Sequence, residues 1–286
     1  MGVEVHNSGG ASGFGGVMNA NVVLECSATS KRFAEAQTVA ELNREWDSTQ
    51  KRFEQNWDRR GHRLLVIIHD EDGFIGDRDV TQALVSLNSF GKREPVDVLL
   101  HTHGGEVGAT MQIAEVLVHR PRTATFIPIF AHSGGTMIAL STSTIHLGKG
   151  AALGPVDIQF RGRPARDIVQ IADELGDHAP PALRADAREA RRMLADWSQK
   201  VCKATNRRHK GFAGWRGCEL AGLLTNGSLS HSQSISYAMA RRLHMHVSRK
   251  VPKSAYALLS ARLEMLRRLR ELQEQVLIEK VGPAPV

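Results

Sequence analysis

The chain has 286 residues, 42% hydrophobic and 23% charged, which is an ordinary globular balance rather than a disordered one. Its net charge of +7 does not select nucleic acid as a partner, because basic residues alternate with acids (Arg184, Asp186, Arg188, Glu189) as on a solvated helix face. Cys26, Cys202 and Cys218 lack CxxC or Cys/His spacing, and no run of about 18 apolar residues occurs; this argues against structural zinc, a disulfide framework and a membrane span, and points to a reducing, cytoplasmic setting.

Residues 1–20 hold six glycines among Ser and Asn without periodicity and read as a flexible tail. A polar helix is expected over 38–58, with Leu42, Trp46 and Phe53 on one side, inside an N-terminal helical segment spanning 21–60. Leu64–Ile68 is a short continuous apolar run, as in a strand buried on both faces. Helical spacing follows over 77–90 (Val80, Leu84, Leu87), then a strand at 96–100 and a helix through Met111, Ile113, Val116 and Leu117. A third strand is expected at 125–130, a short helix at 134–140 and a fourth strand at 143–147. This alternation calls for a mainly parallel α/β sheet with crossover connections.

Beyond Pro155 the pattern turns helical and charged. A helix is expected at 183–203, after Pro180-Pro181, and turn, helix and strand within 223–247. A Leu-rich helix at 254–280 places Leu258, Met265, Leu269, Leu272 and Val276 near heptad spacing, which reads as a subunit contact. The organisation is therefore a tail (1–20), a helical segment (21–60), an α/β domain (61–250) and a C-terminal amphipathic helix (251–286).

In a parallel α/β sheet, ligands collect where strands end and helices begin. Two such ends are unusual: His101-Thr102-His103-Gly104-Gly105-Glu106-Val107, and Ala131-His132-Ser133-Gly134-Gly135-Thr136-Met137. A Gly-Gly pair lets backbone N–H groups approach a substrate, and a serine at a tight strand-to-helix turn exposes its hydroxyl. Together they supply a nucleophile and donors for a tetrahedral oxyanion.

The order of His103-Gly104-Gly105, Ser133-Gly134-Gly135 and Leu153-Gly154-Pro155-Val156-Asp157 resembles the Clp/crotonase-type serine peptidases. It is most similar to the serine dehydrogenase proteinase family, itself related to signal peptide peptidase A. Thr136–Leu140, Leu153–Gln159 and the stretch Leu224–His231 carry that narrower likeness, within a resemblance covering residues 60–250.

The resemblance implies a Clp/crotonase-like spiral of repeated β-β-α/βαβ units with a mainly parallel sheet and a C-terminal helical extension. It also implies a nucleophilic Ser133, oxyanion donors on Gly105 and Gly134, and no cofactor or metal. An extended peptide or protein substrate would lie along 105–107 and 153–156, with Gly104, His103, Gly154, Pro155 and Asp157 lining the site. Assembly into a homo-oligomer follows from the same likeness. Many relatives carry an N-terminal membrane anchor, which this sequence does not show.

The general base is the open point. The position about 25 residues past the serine reads Asp157-Ile158-Gln159, with no histidine. The helix where a lysine would stand reads Ala185-Asp186-Ala187-Arg188-Glu189-Ala190-Arg191, and arginine stays protonated. Lys200 and Lys203 are alternative bases, His132 and His146 are further histidines, and His231 is placed best as base or orienter. Asp157 could orient a base or stabilise its loop. Besides a serine peptidase, the residues allow a catalytically impaired scaffold that binds peptides or proteins, and a crotonase-like acyl-thioester enzyme.

Overall fold

A computed structural model describes residues 32–33, 36–57, 61–208, 215–226, 229 and 233–281. The first helix, α1 (Val39–Gln55), starts at a capping box: Thr38 accepts from Glu41 N–H, and Glu41 accepts from the Thr38 N–H. Four elements then alternate as β1 (Arg63–Ile68), α2 (Asp77–Ser89), β2 (Val96–His101) and α3 (Val107–His119). They are followed by β3 (Thr123–Ile127), β4 (Phe130–Ala131), α4 (Gly134–Leu140), β5 (Thr144–Leu147) and β6 (Ala152–Leu153). A hairpin of β7 (Gln159–Phe160) and β8 (Arg163–Pro164) leads into α5 (Ala165–Leu175) and the long α6 (Pro181–Arg208). The chain closes with α7 (Trp215–Thr225), β9 (Ile235–Ser236), α8 (Tyr237–Arg242), β10 (Val247–Ser248) and α9 (Lys253–Val281).

The main sheet has the order β1-β2-β3-β5-β10, and every pair is parallel. One row of register partners crosses it as Leu65, Val98, Thr125, Ile145 and Val247. β2 and β3 are buried at every residue and β1 at all but its first, as a parallel strand covered on both faces requires. One face packs against α2, α3, α4 and α6 through Val80, Ile113, Met137 and Trp197. The other is covered by Leu42, Trp46 and Phe53 of α1 and Leu258, Met265 and Leu272 of α9. The end of α1 is fastened to β2 where the Trp57 indole N–H donates to the buried Asp97 carboxylate at 2.8 Å, with His62 on its other oxygen at 3.0 Å.

Three expectations need correction. The strand expected at 125–130 is two strands, because Pro128 brings no N–H to the ladder and interrupts it. β4 then leaves the main sheet for a three-stranded one with β6 and β9, parallel to β6 while β6 and β9 run antiparallel. Second, the apolar stripe of the C-terminal helix is not a free subunit face. Leu258 is 0%, Met265 2% and Leu272 5% exposed, all spent on α1 and the sheet, while Val276 is 47% exposed. Third, Cys202 and Cys218 form a disulfide joining α6 to α7, with Cα atoms 4.4 Å apart. Spacing motifs did not reveal it because the partners are 16 residues apart and meet only when two helices fold against each other. This pairing removes the cysteine-based argument for a reducing compartment. No described helix is long and apolar enough to cross a membrane.

Candidate active site

Ser133 lies between β4 and α4 with φ 48° and ψ −116°, a conformation that favours glycine. It occupies the N-cap of α4, yet its side chain accepts no N–H from the first turn. An N-cap serine normally spends its hydroxyl on such a bond, so this one is left available for chemistry. The Ser133 carbonyl accepts from Met137 N–H at 3.2 Å. Because a trans peptide places C=O and N–H on opposite sides, the Gly134 N–H of the same peptide points away from the helix.

The Gly-Gly loop after β2 is fixed in the same manner. Ile75 N–H donates to Gly104 O at 2.8 Å and Glu106 N–H to Ile75 O at 2.9 Å, forming a parallel bridge between Ile75 and Gly105. Gly104 O and Gly105 N–H share one peptide, so the Gly105 N–H is aimed away from Ile75. Gly104 has φ +118°, and a Cβ there would stand 2.7 Å from Ser133 Cβ and 3.2 Å from Gly134 N. At Gly105 a Cβ would fall 2.2–2.6 Å from the Ile75 backbone. Only glycines allow this loop to abut both the serine turn and the segment carrying Ile75. The Gly104 N–H, by contrast, is already taken by Thr102 Oγ1 at 3.1 Å.

The two loops are held together by a bridge between Thr102 and Ala131 and by His132 N–H donating to Thr102 O at 3.0 Å. Thr136 Oγ1 lies 2.9 Å from both Ala131 O and Gly154 O and accepts Gly154 N–H at 3.1 Å, clamping the 153–157 loop beneath the serine turn. Gly154 packs directly on His132, where a Cβ would meet the ring at 3.1 Å. Pro155 is buried and Asp157 is only 7% exposed, on a loop tied down by Val156 N–H to Leu224 O and Trp197 N–H to Val156 O.

The candidate bases are distributed differently. His103 is exposed, its ring 4.5 Å from that of Phe130, and His101 and His132 pack on the same phenyl at 4.1 and 4.8 Å. Burial, helped by the charges of His103, His69 and His132, lowers the His101 pKa to about 4. Despite this gathering, no three His, Cys, Asp or Glu side chains among the described residues could hold a metal ion. His146 lies away from this cluster, stacked on Phe126 at 4.4 Å. Lys200 pairs with Asp196 at 2.7 Å on the surface of α6, and Lys203 is exposed. His231 lies outside the described residues. Among those described, no hydrogen-bonded imidazole or amine reaches Ser133 Oγ.

Sequence reasoning passed over His69, Ile75, Asp79 and Thr102, although all four shape the Gly-Gly loop. Thr102 stood inside the motif, but only the fold joins it to Asp79 through His69 Nδ1 at 2.9 Å and His69 Nε2 at 3.0 Å.

A serine turn after β4 abutting a Gly-Gly loop after β2 of a parallel sheet defines the class of Clp-like α/β proteins. Residues 64–274 match the family model of the ClpP-like SDH-type serine proteinases, and the chain belongs to that family. Uncharacterized protein MJ0137 of Methanocaldococcus jannaschii is 30% identical over 217 residues, 70% of this chain and 73% of its own. Uncharacterized protein MJ1495 of the same organism is 28% identical over 217 residues, 70% and 72% of the two chains. Among solved structures, the 1510-N membrane-bound stomatin-specific protease is similar with a TM-score of 0.44 and 16% identity, over 66% of this chain and 80% of that one. ClpP1 from Listeria monocytogenes gives 0.42 and 15%, over 70% and 94%.

Proposed function

We propose that this family member is a serine endopeptidase in which Ser133 Oγ attacks a peptide carbonyl and the N–H groups of Gly105 and Gly134 stabilise the oxyanion. The observation that carries this reading is the Ser133 turn itself. Its backbone takes a conformation that favours glycine, its hydroxyl is not spent on capping α4, and it abuts a Gly-Gly loop whose second N–H is turned outward. As Oγ bonds to the carbonyl carbon, its proton passes to a general base, and the C=O electrons move onto oxygen between the two N–H groups. Collapse of the tetrahedral adduct breaks the C–N bond, and the amine leaves with the proton returned by the same base. Water then adds to the Ser133 ester and releases the acid by the reverse steps. No cofactor is needed for this sequence.

We assign the base to His231, on the sequence pattern Leu224–His231; the ion pair of Lys200 with Asp196 makes that lysine a poorer candidate. A homo-oligomer acting on extended peptide or protein chains completes the reading. The decisive experiment is labelling of the purified protein with a fluorophosphonate probe, mapped by peptide mass spectrometry beside Ser133→Ala. Adduct on Ser133 alone, absent from the variant, supports the peptidase. A folded protein that takes no adduct supports the peptide-binding scaffold instead. His231→Ala should lower turnover by about 10² or more, and unchanged turnover removes His231 from the mechanism.

A further inference from the structure

The aim of the Gly105 N–H depends on groups that the proposed mechanism does not use. Gly104 sits between two anchors: its C=O accepts Ile75 N–H at 2.8 Å, and its N–H donates to Thr102 Oγ1 at 3.1 Å. Thr102 is completely buried, and its hydroxyl also meets His69 Nδ1 at 2.9 Å. The far nitrogen of His69 lies 3.0 Å from Asp79 Oδ1, while Asp79 Oδ2 accepts Gly76 N–H at 3.0 Å.

The donor and acceptor inventory limits how this chain can be polarised. An ionised carboxylate only accepts, so His69 Nε2 carries hydrogen toward Asp79. Thr102 Oγ1 also lies 3.2 Å from Gly104 O, so its proton goes to His69 Nδ1 when the imidazole is neutral and to Gly104 O when Nδ1 carries hydrogen. In either arrangement a lone pair of Thr102 Oγ1 accepts the Gly104 N–H at 3.1 Å. Burial raises the Asp79 pKa, but the bonds from His69 and Gly76 and the charge of His69 outweigh it, holding the carboxyl below its ordinary value. The chain links the start of α2, the ends of β1 and β2, and the glycine loop.

We propose that Asp79, His69 and Thr102 are positioning residues that lock the Gly104 peptide and thereby aim the Gly105 N–H at the oxyanion. None of the three touches substrate. Asp79 orients the imidazole, the imidazole orients the Thr102 hydroxyl, and the hydroxyl holds a glycine whose φ of +118° would otherwise be free to vary. This inference deepens the peptidase reading and rests on it.

The test combines steady-state peptide hydrolysis with amide hydrogen exchange over residues 102–106, on the full chain. Thr102→Val keeps the shape and removes the hydroxyl. We expect kcat to fall by roughly ten- to a hundredfold with KM within about twofold, since a misaimed oxyanion donor acts on the transition state. Thr102→Ser should restore kcat to within about threefold of the parent, which a merely structural role for the methyl group would not allow. His69→Ala acts along the same path, so the double variant should be no slower than the slower single one. Exchange at Gly104 should quicken in Thr102→Val and return in Thr102→Ser. Parent-like kcat in Thr102→Val, with Ser133 still labelled by the probe, overturns the proposal. If the parent takes no label, the peptidase reading has failed separately. Exchange then decides alone, and unaltered protection of Gly104 in Thr102→Val would refute the positioning chain.

Discussion

The backbone at Ser133 makes a prediction that separates strain from chemistry. Ser133 holds φ 48° and ψ −116°, where a Cβ-bearing residue is strained by about 1–3 kcal/mol. Ser133→Ala and Ser133→Gly both remove the nucleophile, so both should abolish turnover. They differ in the backbone: alanine keeps the strain and glycine releases it. Against that release stands the greater freedom of glycine in the unfolded chain, about 0.4–1 kcal/mol. The net expectation is that Ser133→Gly is more stable than Ser133→Ala by roughly 0.5–2 kcal/mol. For a domain of this size that is a Tm difference on the order of 4 °C. Thermal melts of the two variants in one buffer, with urea titration as a second measure, provide the assay. A Ser133→Gly protein that melts at or below Ser133→Ala would refute the argument, because it would show that the resting turn carries no strain for glycine to release.

Three further outcomes follow from packing and charge. The native pKa of His101 is lowered from 6.5 to about 4, so between these values the unfolded chain binds a proton that the folded chain does not. Stability from this group is complete above pH 6.5 and is lost as pH falls toward 4; the slope of Tm against pH in that window should flatten in His101→Phe. The Cys202–Cys218 disulfide closes a 16-residue separation, and Cys202→Ser should cost about 3 kcal/mol on the chain-entropy scale. Of the three cysteines only Cys26 should react with a thiol reagent in the denatured, unreduced protein; three reactive thiols would contradict the pairing. Leu258 is fully buried against the sheet, so Leu258→Ala should cost about 2–5 kcal/mol in urea unfolding and leave the elution volume of the folded protein unchanged. A change of elution volume with little loss of stability would restore the stripe to a subunit interface.

Much of this architecture is written locally. The runs Leu64–Ile68 and Val96–Leu100 are too apolar and too short for anything but buried strands, and they became β1 and β2. The short helix expected at 134–140 is present at those residues, and Ser133 and Gly104-Gly105 stand at strand ends as their spacing implied. These features depend on backbone preferences within a few residues, which is the range over which a sequence pattern can be read.

What only the tertiary structure decided involves partners far apart in the chain. The heptad-like stripe of α9 is equally compatible with another subunit and with this chain's own sheet; its contact with α1 and β1 selected the second. The run 125–130 reads in the sequence as one strand, and it is the pairing of β4 with β6, beyond the interruption at Pro128, that sets Ser133 beside the Gly-Gly loop. The bond between Cys202 and Cys218 needed two helices to meet. The Asp79–His69–Thr102 chain joins residues 10 and 33 positions apart. Side-chain periodicity specifies which face of an element is apolar but not what will cover it. That choice is made by long-range closure, in which every element competes for the same buried surface and only the folded whole satisfies all of them.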